Sequence, residues 1–188
     1  IGSFGGPGRG SHAAAFAASM AVFEARSAVA GLLGAQDASR VSFTMNATMA
    51  LNIALAGLLP DEGRAVTTAA SHNSVLRPLF RARDLRGAQV EVARILPDGS
   101  LDWESYECAL EGGANLVVAT HASNVTGDVY DVVRMASMAH DAGALFVLDA
   151  AQTAGAMPVD MAALGVDVLC FTGHKSLYGP QGTGGLIV

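Results

Sequence analysis

The sequence predicts an α/β fold: a mostly parallel, mixed sheet with helices on both faces. Short apolar runs rich in Val, Leu and Phe alternate along the chain with segments of helical spacing, a pattern typical of a parallel sheet covered on both faces. Hydrophobic residues make up 51% of the 188 residues, enough for one domain with a substantial core. Polar residues follow the ends of several predicted strands, which is where α/β proteins bind ligands.

The predicted elements follow in order along the chain. A glycine-rich loop covers residues 1–11, and Ser11 is the expected N-cap of a helix that runs to about Leu33 and stops at Gly34. Strands are then predicted at 41–45, 64–68, 89–95, 116–120, 144–149, 166–171 and 186–188. Helices are predicted from 46–48 through 58 and at 75–85, 103–110 and 132–142.

Composition excludes several classes of partner. The formal net charge is -6, and Lys and Arg form no run, so nothing indicates binding to nucleic acid or to an anionic membrane. The alanine-rich run at 13–23 lacks the basic start of a signal peptide. No uninterrupted apolar stretch is expected to approach the length that spans a bilayer. The sequence therefore predicts a soluble protein whose partners are small molecules or proteins.

The two cysteines, Cys108 and Cys170, match no metal-binding or redox spacing. This predicts a reduced, cytoplasmic setting and no metal site. Cys170 falls in a predicted buried strand and Cys108 in a helical pattern, so both are expected to be inert packing residues.

The stretch 166–185 holds the strongest candidate for chemistry. An apolar strand runs into a polar turn with Thr172, His174 and Lys175, and a glycine-rich segment follows. A lysine between an apolar strand and glycine is a candidate nucleophile, although a lone lysine is more often a surface-loop residue. A Walker A loop does not fit, because it needs Gly directly before Lys and a helix after it. A dinucleotide fingerprint does not fit either, because these glycines lead into a strand.

Other predicted strands also end in polar residues, which are expected at the same edge of the sheet: Thr48, His72, Asn124, Asp149 and Gln152. Each has an ordinary alternative as a helix cap, loop or turn residue, and His12 could either face this site or be exposed. A carboxylate at the end of so apolar a strand is costly to bury without a positive partner. A protonated pyridine nitrogen would be such a partner, and together with a Schiff-base lysine it points to pyridoxal phosphate chemistry.

Five segments, 44–48, 71–74, 121–127, 148–152 and 172–175, resemble in order the motifs of the class V aminotransferases, most of all the cysteine desulfurases and selenocysteine lyases. The resemblance implies the large domain of a fold-type I enzyme that uses pyridoxal 5'-phosphate. It implies that Lys175 carries the Schiff base, Asp149 pairs with the pyridinium nitrogen, and Gln152 bonds the phenolate oxygen. It also implies that His72 stacks on the ring, Asn124 lies near the phenolate and the substrate carboxylate, and Ala47, Thr48, Thr172 and His174 hold the phosphate. Lys175, His72 and Asp149 are the expected catalytic residues.

The resemblance covers essentially the whole chain and implies a homodimer that converts L-cysteine to L-alanine and passes sulfur to a persulfide-forming cysteine, with a possible sulfur-acceptor protein. Ser71 departs from the acidic residue that many relatives carry before the histidine. Residues 1–188 are expected to be the large domain of a longer protein, without the N-terminal segment and the small C-terminal domain. Other class V reactions (transamination, epimerisation, selenocysteine cleavage) and a cofactor-binding fragment without turnover remain alternatives.

Overall fold

The computed structural model describes residues 5–8 and 10–188. Seven strands form one sheet: β1 (Val41–Thr44), β2 (Arg64–Thr68), β3 (Gln89–Ala93), β4 (Leu116–Thr120), β5 (Leu145–Asp149), β6 (Val168–Thr172) and β7 (Gly184–Ile187). Helix α1 (Ala13–Leu33) precedes β1, and four more α-helices lie between strands: α2 (Ala47–Leu58), α3 (Asn73–Arg86), α4 (Trp103–Leu110) and α5 (Val132–Asp141).

The strand order in the sheet is β1-β7-β6-β5-β4-β2-β3. Four neighbouring pairs, from β6 to β3, are parallel, and β7 runs antiparallel to both β1 and β6. Because β7 is the single reversed strand in this sheet, the other six strands all point their carboxyl ends to one edge. The predicted mostly parallel, mixed sheet is confirmed.

Both faces of the sheet are covered by helices, as predicted. Neighbouring β5 residues show this, because successive side chains of a strand point to opposite faces. Phe146 and Leu148 lie in one core cluster with residues of α4, α5 and the end of α1. Val147 lies in a second cluster with residues of α2 and α3. A sheet buried on both sides explains why its central strands are almost continuously apolar.

Helix α1 begins one residue later than predicted. His12, not Ser11, is the N-cap, and its Nδ1 accepts the Ala15 N–H at 3.3 Å. The predicted stop at Gly34 is confirmed, since Gly34 adopts a left-handed conformation with φ 71°. The predicted glycine-rich loop lies partly outside the described residues, namely at 1–4 and 9.

Within the described part of the chain, α1 is the one helix long and apolar enough, by length and composition, to cross a membrane. Glu24 and Arg26 interrupt this helix, so the expectation that no uninterrupted apolar stretch approaches that length is not contradicted. Core helices and signal sequences share these properties, so this is weak evidence for a membrane span. Ala30 and Leu33 at its C-terminal end are buried in the core, whereas Phe16 and Phe23 are exposed.

Several element bounds differ from the predicted ones by one or two residues, and the exposure of one cysteine also differs. Strand β6 covers Val168–Thr172 instead of the predicted 166–171. Asp167, just before it, accepts the Phe146 N–H through its carboxylate at 2.7 Å. Cys108 is exposed on α4, so the expectation that it packs inside the protein is wrong, whereas Cys170 is fully buried in β6 as expected. A short helix such as α4 buries only one side, and Cys108 falls on the other.

Candidate active site

One cleft of about 110 Å³ lies at the carboxyl-terminal edge of the sheet. Its walls come from the N-termini of α2 and α3 and from the segments that follow β4, β5 and β6. All nine residues predicted to bind the cofactor line this cleft: Ala47, Thr48, His72, Asn124, Asp149, Gln152, Thr172, His174 and Lys175. His12, the additional candidate, does not line it. The parallel strands bring together residues that are up to 128 positions apart in the sequence.

The cleft also has five lining residues that sequence reasoning did not select: Asn46, Ser74, Thr120, Ala122 and Ala151. Four of them lie within two positions of a selected residue. The fifth, Thr120, is the last residue of β4, the strand that precedes Asn124. The strand-end signal could therefore have found them, but small polar residues and alanines are also ordinary caps and turns.

The N-terminus of α2 forms one end of the cleft. The Asn46 side chain accepts the Met49 N–H at 2.8 Å and caps the helix. The N–H groups of Ala47 and Thr48 belong to the first helical turn, where no intrahelical acceptor exists. These free donors, the positive end of the helix dipole and the Thr48 hydroxyl together form an arrangement suited to a phosphate group.

Strand β7 brings this helix end close to β6. A side chain at Gly184 would place its Cβ 2.7 Å from the Asn46 Cα, so only glycine allows this close approach. On β6, the Thr172 hydroxyl lies 3.0 Å from His174 Nδ1 and 3.3 Å from the Thr183 carbonyl. The hydroxyl orients the His174 ring at the same end of the cleft, where both residues could contact an anion.

His72 is the N-cap of α3 and holds a defined orientation. Its Nδ1 accepts the Ser74 N–H at 3.1 Å and lies 2.8 Å from the Ser74 hydroxyl. The ring is thereby fixed at the cleft wall by a residue that also lines the cleft. His72 therefore caps a helix, as its ordinary alternative expects, and it also lines the cleft.

Asp149 ends β5 and is only 4% exposed. Its Oδ1 accepts the Ala151 N–H at 3.0 Å, but no helix follows, and within the described chain Oδ2 accepts no hydrogen bond. Burial raises the pKa of the Asp149 carboxyl, and the opposing influences are the Ala151 N–H and the nearby Lys175 and His72 side chains. A buried carboxylate whose second oxygen accepts no hydrogen bond lacks a positive partner, and a cationic ligand in the cleft would supply one.

Lys175 follows β6 by three residues, is exposed and lines the cleft. It is the only lysine in the sequence; the other ten Lys and Arg residues are arginines. The loop around it is fixed by backbone hydrogen bonds from Tyr178 N–H to the Lys175 carbonyl at 2.9 Å and from Gly173 N–H to the Thr183 carbonyl at 2.8 Å. Its ε-amine is therefore accessible on a well-ordered loop.

The turn after β5 packs directly against the Lys175 loop. Gly155 has φ 87°, and a Cβ there would lie 2.6 Å from the Ser176 carbonyl oxygen. Glycine therefore sets the spacing between the Lys175 loop and the turn that carries half-buried Gln152. Asn124, exposed on the loop after β4, also lines the cleft. A second groove of about 480 Å³ adjoins the cleft and shares His72 and Asn124 with it.

The fold is that of a fold-type I enzyme, and residues 2–188 match the aminotransferase class-V family. The chain belongs to this family. A probable cysteine desulfurase from Methanothermobacter thermautotrophicus is 39% identical over 178 residues, which cover 94% of this chain and 44% of that protein. The chain thus spans about half the length of the curated relatives that it matches.

Solved structures agree with this assignment. The apo structure of cysteine desulfurase from Thermococcus onnurineus NA1 superposes with a TM-score of 0.92 at 34% identity, over 100% of this chain and 47% of that one. The structure of SspA in complex with cysteine has a TM-score of 0.91 at 29% identity, over 99% of this chain and 54% of that one. The family resemblance expected from the motifs is confirmed.

Proposed function

We propose that this chain is the pyridoxal-phosphate-binding large domain of a cysteine desulfurase. The observation that carries the proposal is the cleft itself, in which a buried carboxylate with a free oxygen faces the same space as the only lysine and the free N–H groups of a helix N-terminus. Those three features match the ring nitrogen, the aldehyde and the phosphate of the cofactor.

The residues fit the cofactor in the following way. Lys175 Nζ would bond the aldehyde carbon, Asp149 would hold the proton on the ring nitrogen, and Gln152 would donate to the phenolate oxygen. His72 would stack on the ring, and Asn124 would lie near the phenolate and the substrate carboxylate. The phosphate would be held by Ala47, Thr48, Thr172 and His174.

When bound, pyridoxal phosphate supplies an electron sink for negative charge at the substrate Cα. The chain's own residues provide the rest. Asp149, as an anion, would keep the ring nitrogen protonated, and the Lys175 amine would be positioned to accept the Cα proton. His72 and Gln152 would restrict the ring's position and so keep the reacting atoms aligned.

L-Cysteine is the proposed substrate because the relatives carry the name cysteine desulfurase and because SspA, a close structural match, is described with cysteine. In the proposed reaction the substrate sulfur passes to the thiol of another cysteine, which gives L-alanine and a persulfide. A sulfur-acceptor protein would then take the sulfur. Both cysteines are free, which agrees with a reducing, cytoplasmic setting.

The first test is cofactor binding by the purified chain. Addition of pyridoxal phosphate is expected to produce a visible absorption band distinct from that of the free cofactor, and borohydride reduction is expected to fix one cofactor per chain by intact mass. A chain that gives neither signal would contradict the proposal.

We also propose that the sulfur-accepting cysteine lies outside residues 1–188. Cys170 is fully buried, and its burial and the nearby Asp149 charge raise the pKa of its thiol, so it remains protonated and a poor nucleophile. Cys108 is exposed but does not line the cleft. A protein consisting of residues 1–188 is therefore expected to release no alanine from cysteine above background in an alanine dehydrogenase assay. Steady release that disappears in Cys108→Ala would overturn this assignment, and Cys170→Ala serves as the matched control.

The proposed homodimer is supported by apolar side chains left exposed near the cleft. Phe43, Met45, Met49 and Ile53, on β1 and α2 and the loop between them, are 41–61% exposed. Contiguous exposed apolar side chains are typical of an interface. Sedimentation equilibrium is expected to show dimers, and Ile53→Glu is expected to raise the dimer dissociation constant by at least about tenfold. Leu85→Glu, at an exposed position on α3, is the control and is expected to leave it unchanged. An unchanged sedimentation profile in Ile53→Glu would place the interface elsewhere.

A further inference from the structure

His121 lies directly after β4 in a buried loop, next to the turn that carries two of the proposed cofactor-binding residues. Its side chain is 4% exposed and does not line the cleft. The turn in question runs from Asp149 to Thr153 and includes Gln152. No role in binding or catalysis follows for His121 from the cleft alone.

His121 contacts this turn at both of its ends. Its backbone N–H donates to the Asp149 carbonyl at 3.0 Å, which extends the ladder between β4 and β5 by one bond. Its Nδ1 lies 3.0 Å from the hydroxyl of Thr153, which is only 2% exposed. One residue therefore joins the start and the end of a five-residue turn.

The rest of the turn is held mainly by bonds to itself. The Thr153 and Ala154 N–H groups both donate to the Ala150 carbonyl, at 3.1 and 2.9 Å, and the Ala150 N–H donates to the Cys170 carbonyl at 2.9 Å. These bonds define the shape of the turn and fix its start to β6. The bond between the His121 ring and the Thr153 hydroxyl is the side-chain contact that fixes its far end to the β4 loop.

We infer that His121 and Thr153 are positioning residues, which clamp the turn so that Asp149 and Gln152 meet the cofactor in a fixed geometry. This inference rests on the proposed function. Because a buried hydrogen bond has few alternative geometries, it sets the position of the backbone between its partners to within a fraction of an ångström. Gln152, one residue before Thr153, would lose its alignment if that bond were removed.

The protonation state of His121 suits this role. Burial lowers the pKa of its imidazole, so the ring is neutral at pH 7. A neutral imidazole has one donor and one acceptor nitrogen, so Nδ1 can pair with the Thr153 hydroxyl in either tautomer. A neutral ring also adds no positive charge that would compete with a protonated pyridine for Asp149.

A matched pair of substitutions at Thr153 tests the clamp in the purified protein. Thr153→Val keeps the shape but removes the hydroxyl, and Thr153→Ser keeps the hydroxyl. Thr153→Val is expected to weaken pyridoxal phosphate binding by about tenfold, whereas Thr153→Ser stays within about twofold of the natural protein. His121→Asn, which keeps a polar group near the Nδ1 position, is expected to lie between them.

The bound cofactor's absorption spectrum gives a readout that a purely structural role would not change. Because Gln152 is placed at the phenolate oxygen, its displacement in Thr153→Val is expected to shift the pH midpoint of the visible band by about half a unit or more. Thr153→Ser is expected to restore the midpoint. Thermal denaturation of the cofactor-free variants verifies that they are folded.

The outcomes separate this inference from the proposed function. If the natural protein binds the cofactor, and folded Thr153→Val matches it in both affinity and pH midpoint, the clamp is wrong and the proposed function stands. If the natural protein shows no cofactor band at all, both are overturned.

Discussion

Replacement of Lys175 by alanine is expected to abolish covalent attachment of pyridoxal phosphate while the chain remains folded. Lys175 is the only lysine in the sequence, so no other ε-amine can replace it. Its side chain is exposed, and its loss leaves no buried cavity. The free energy of unfolding is therefore expected to change by no more than about 0.5 kcal/mol.

The measurement is borohydride reduction followed by intact-mass analysis and peptide mapping. The natural chain is expected to gain one reduced cofactor on the peptide that contains Lys175, and Lys175→Ala none. In the whole enzyme, the same substitution is expected to lower cysteine turnover at least about 1,000-fold, because both the attachment point and the proposed base are lost.

Lys175→Arg is the matched control for charge. A guanidinium keeps the positive charge near Asp149 but does not form the covalent bond with the aldehyde. This variant is expected to hold the cofactor noncovalently better than Lys175→Ala does, with no reduced adduct in either. A reduced adduct on any other residue would show that the lysine has been misassigned.

Much of the fold could be predicted because its signals are local. Strands such as β4 and β5 are short runs of large apolar residues, and a sheet buried on both faces requires that composition. The position of the site could be predicted by the same reasoning, because polar residues just after parallel strands lie at the same edge of the sheet. Asp149, Gln152 and Lys175 were selected by position along the chain, and the structure places them around one cleft.

The features that sequence reasoning missed depend on contacts between distant residues. The bond between His121 and Thr153 joins positions 32 residues apart and leaves no periodic pattern. Cysteine is a residue type that usually packs inside proteins, and the exposure of Cys108 depends on how α4 lies on the sheet.

Asp149→Asn is expected to separate catalysis from stability. The neutral amide keeps the size of the side chain and can still accept the Ala151 N–H, so some cofactor binding remains. It cannot hold a proton on the ring nitrogen as a carboxylate does, and the ring becomes a poor electron sink. Removal of the substrate Cα proton, followed as exchange with solvent deuterium, is expected to slow by about 100- to 1,000-fold. Exchange at the natural rate would mean that Asp149 only caps the turn.

The same substitution is expected to stabilise the cofactor-free protein at neutral pH. Burial raises the pKa of the Asp149 carboxyl in the folded state above its ordinary value of 3.8, so the folded state binds this proton more tightly than the unfolded state does. The charged carboxylate therefore destabilises the fold at pH 7, and this penalty diminishes as the pH falls toward 3.8. The difference in unfolding free energy between Asp149→Asn and the natural protein, measured by urea denaturation, should favour the variant by on the order of 1 kcal/mol at pH 7 and disappear once the pH falls well below 3.8. Other titrating groups, including His121, are present in both proteins and cancel in this difference.

With saturating pyridoxal phosphate the order of stability is expected to reverse, because the bound ring then supplies the positive partner of Asp149. A variant that is less stable than the natural protein even without cofactor would show that the carboxylate is already satisfied by the chain itself.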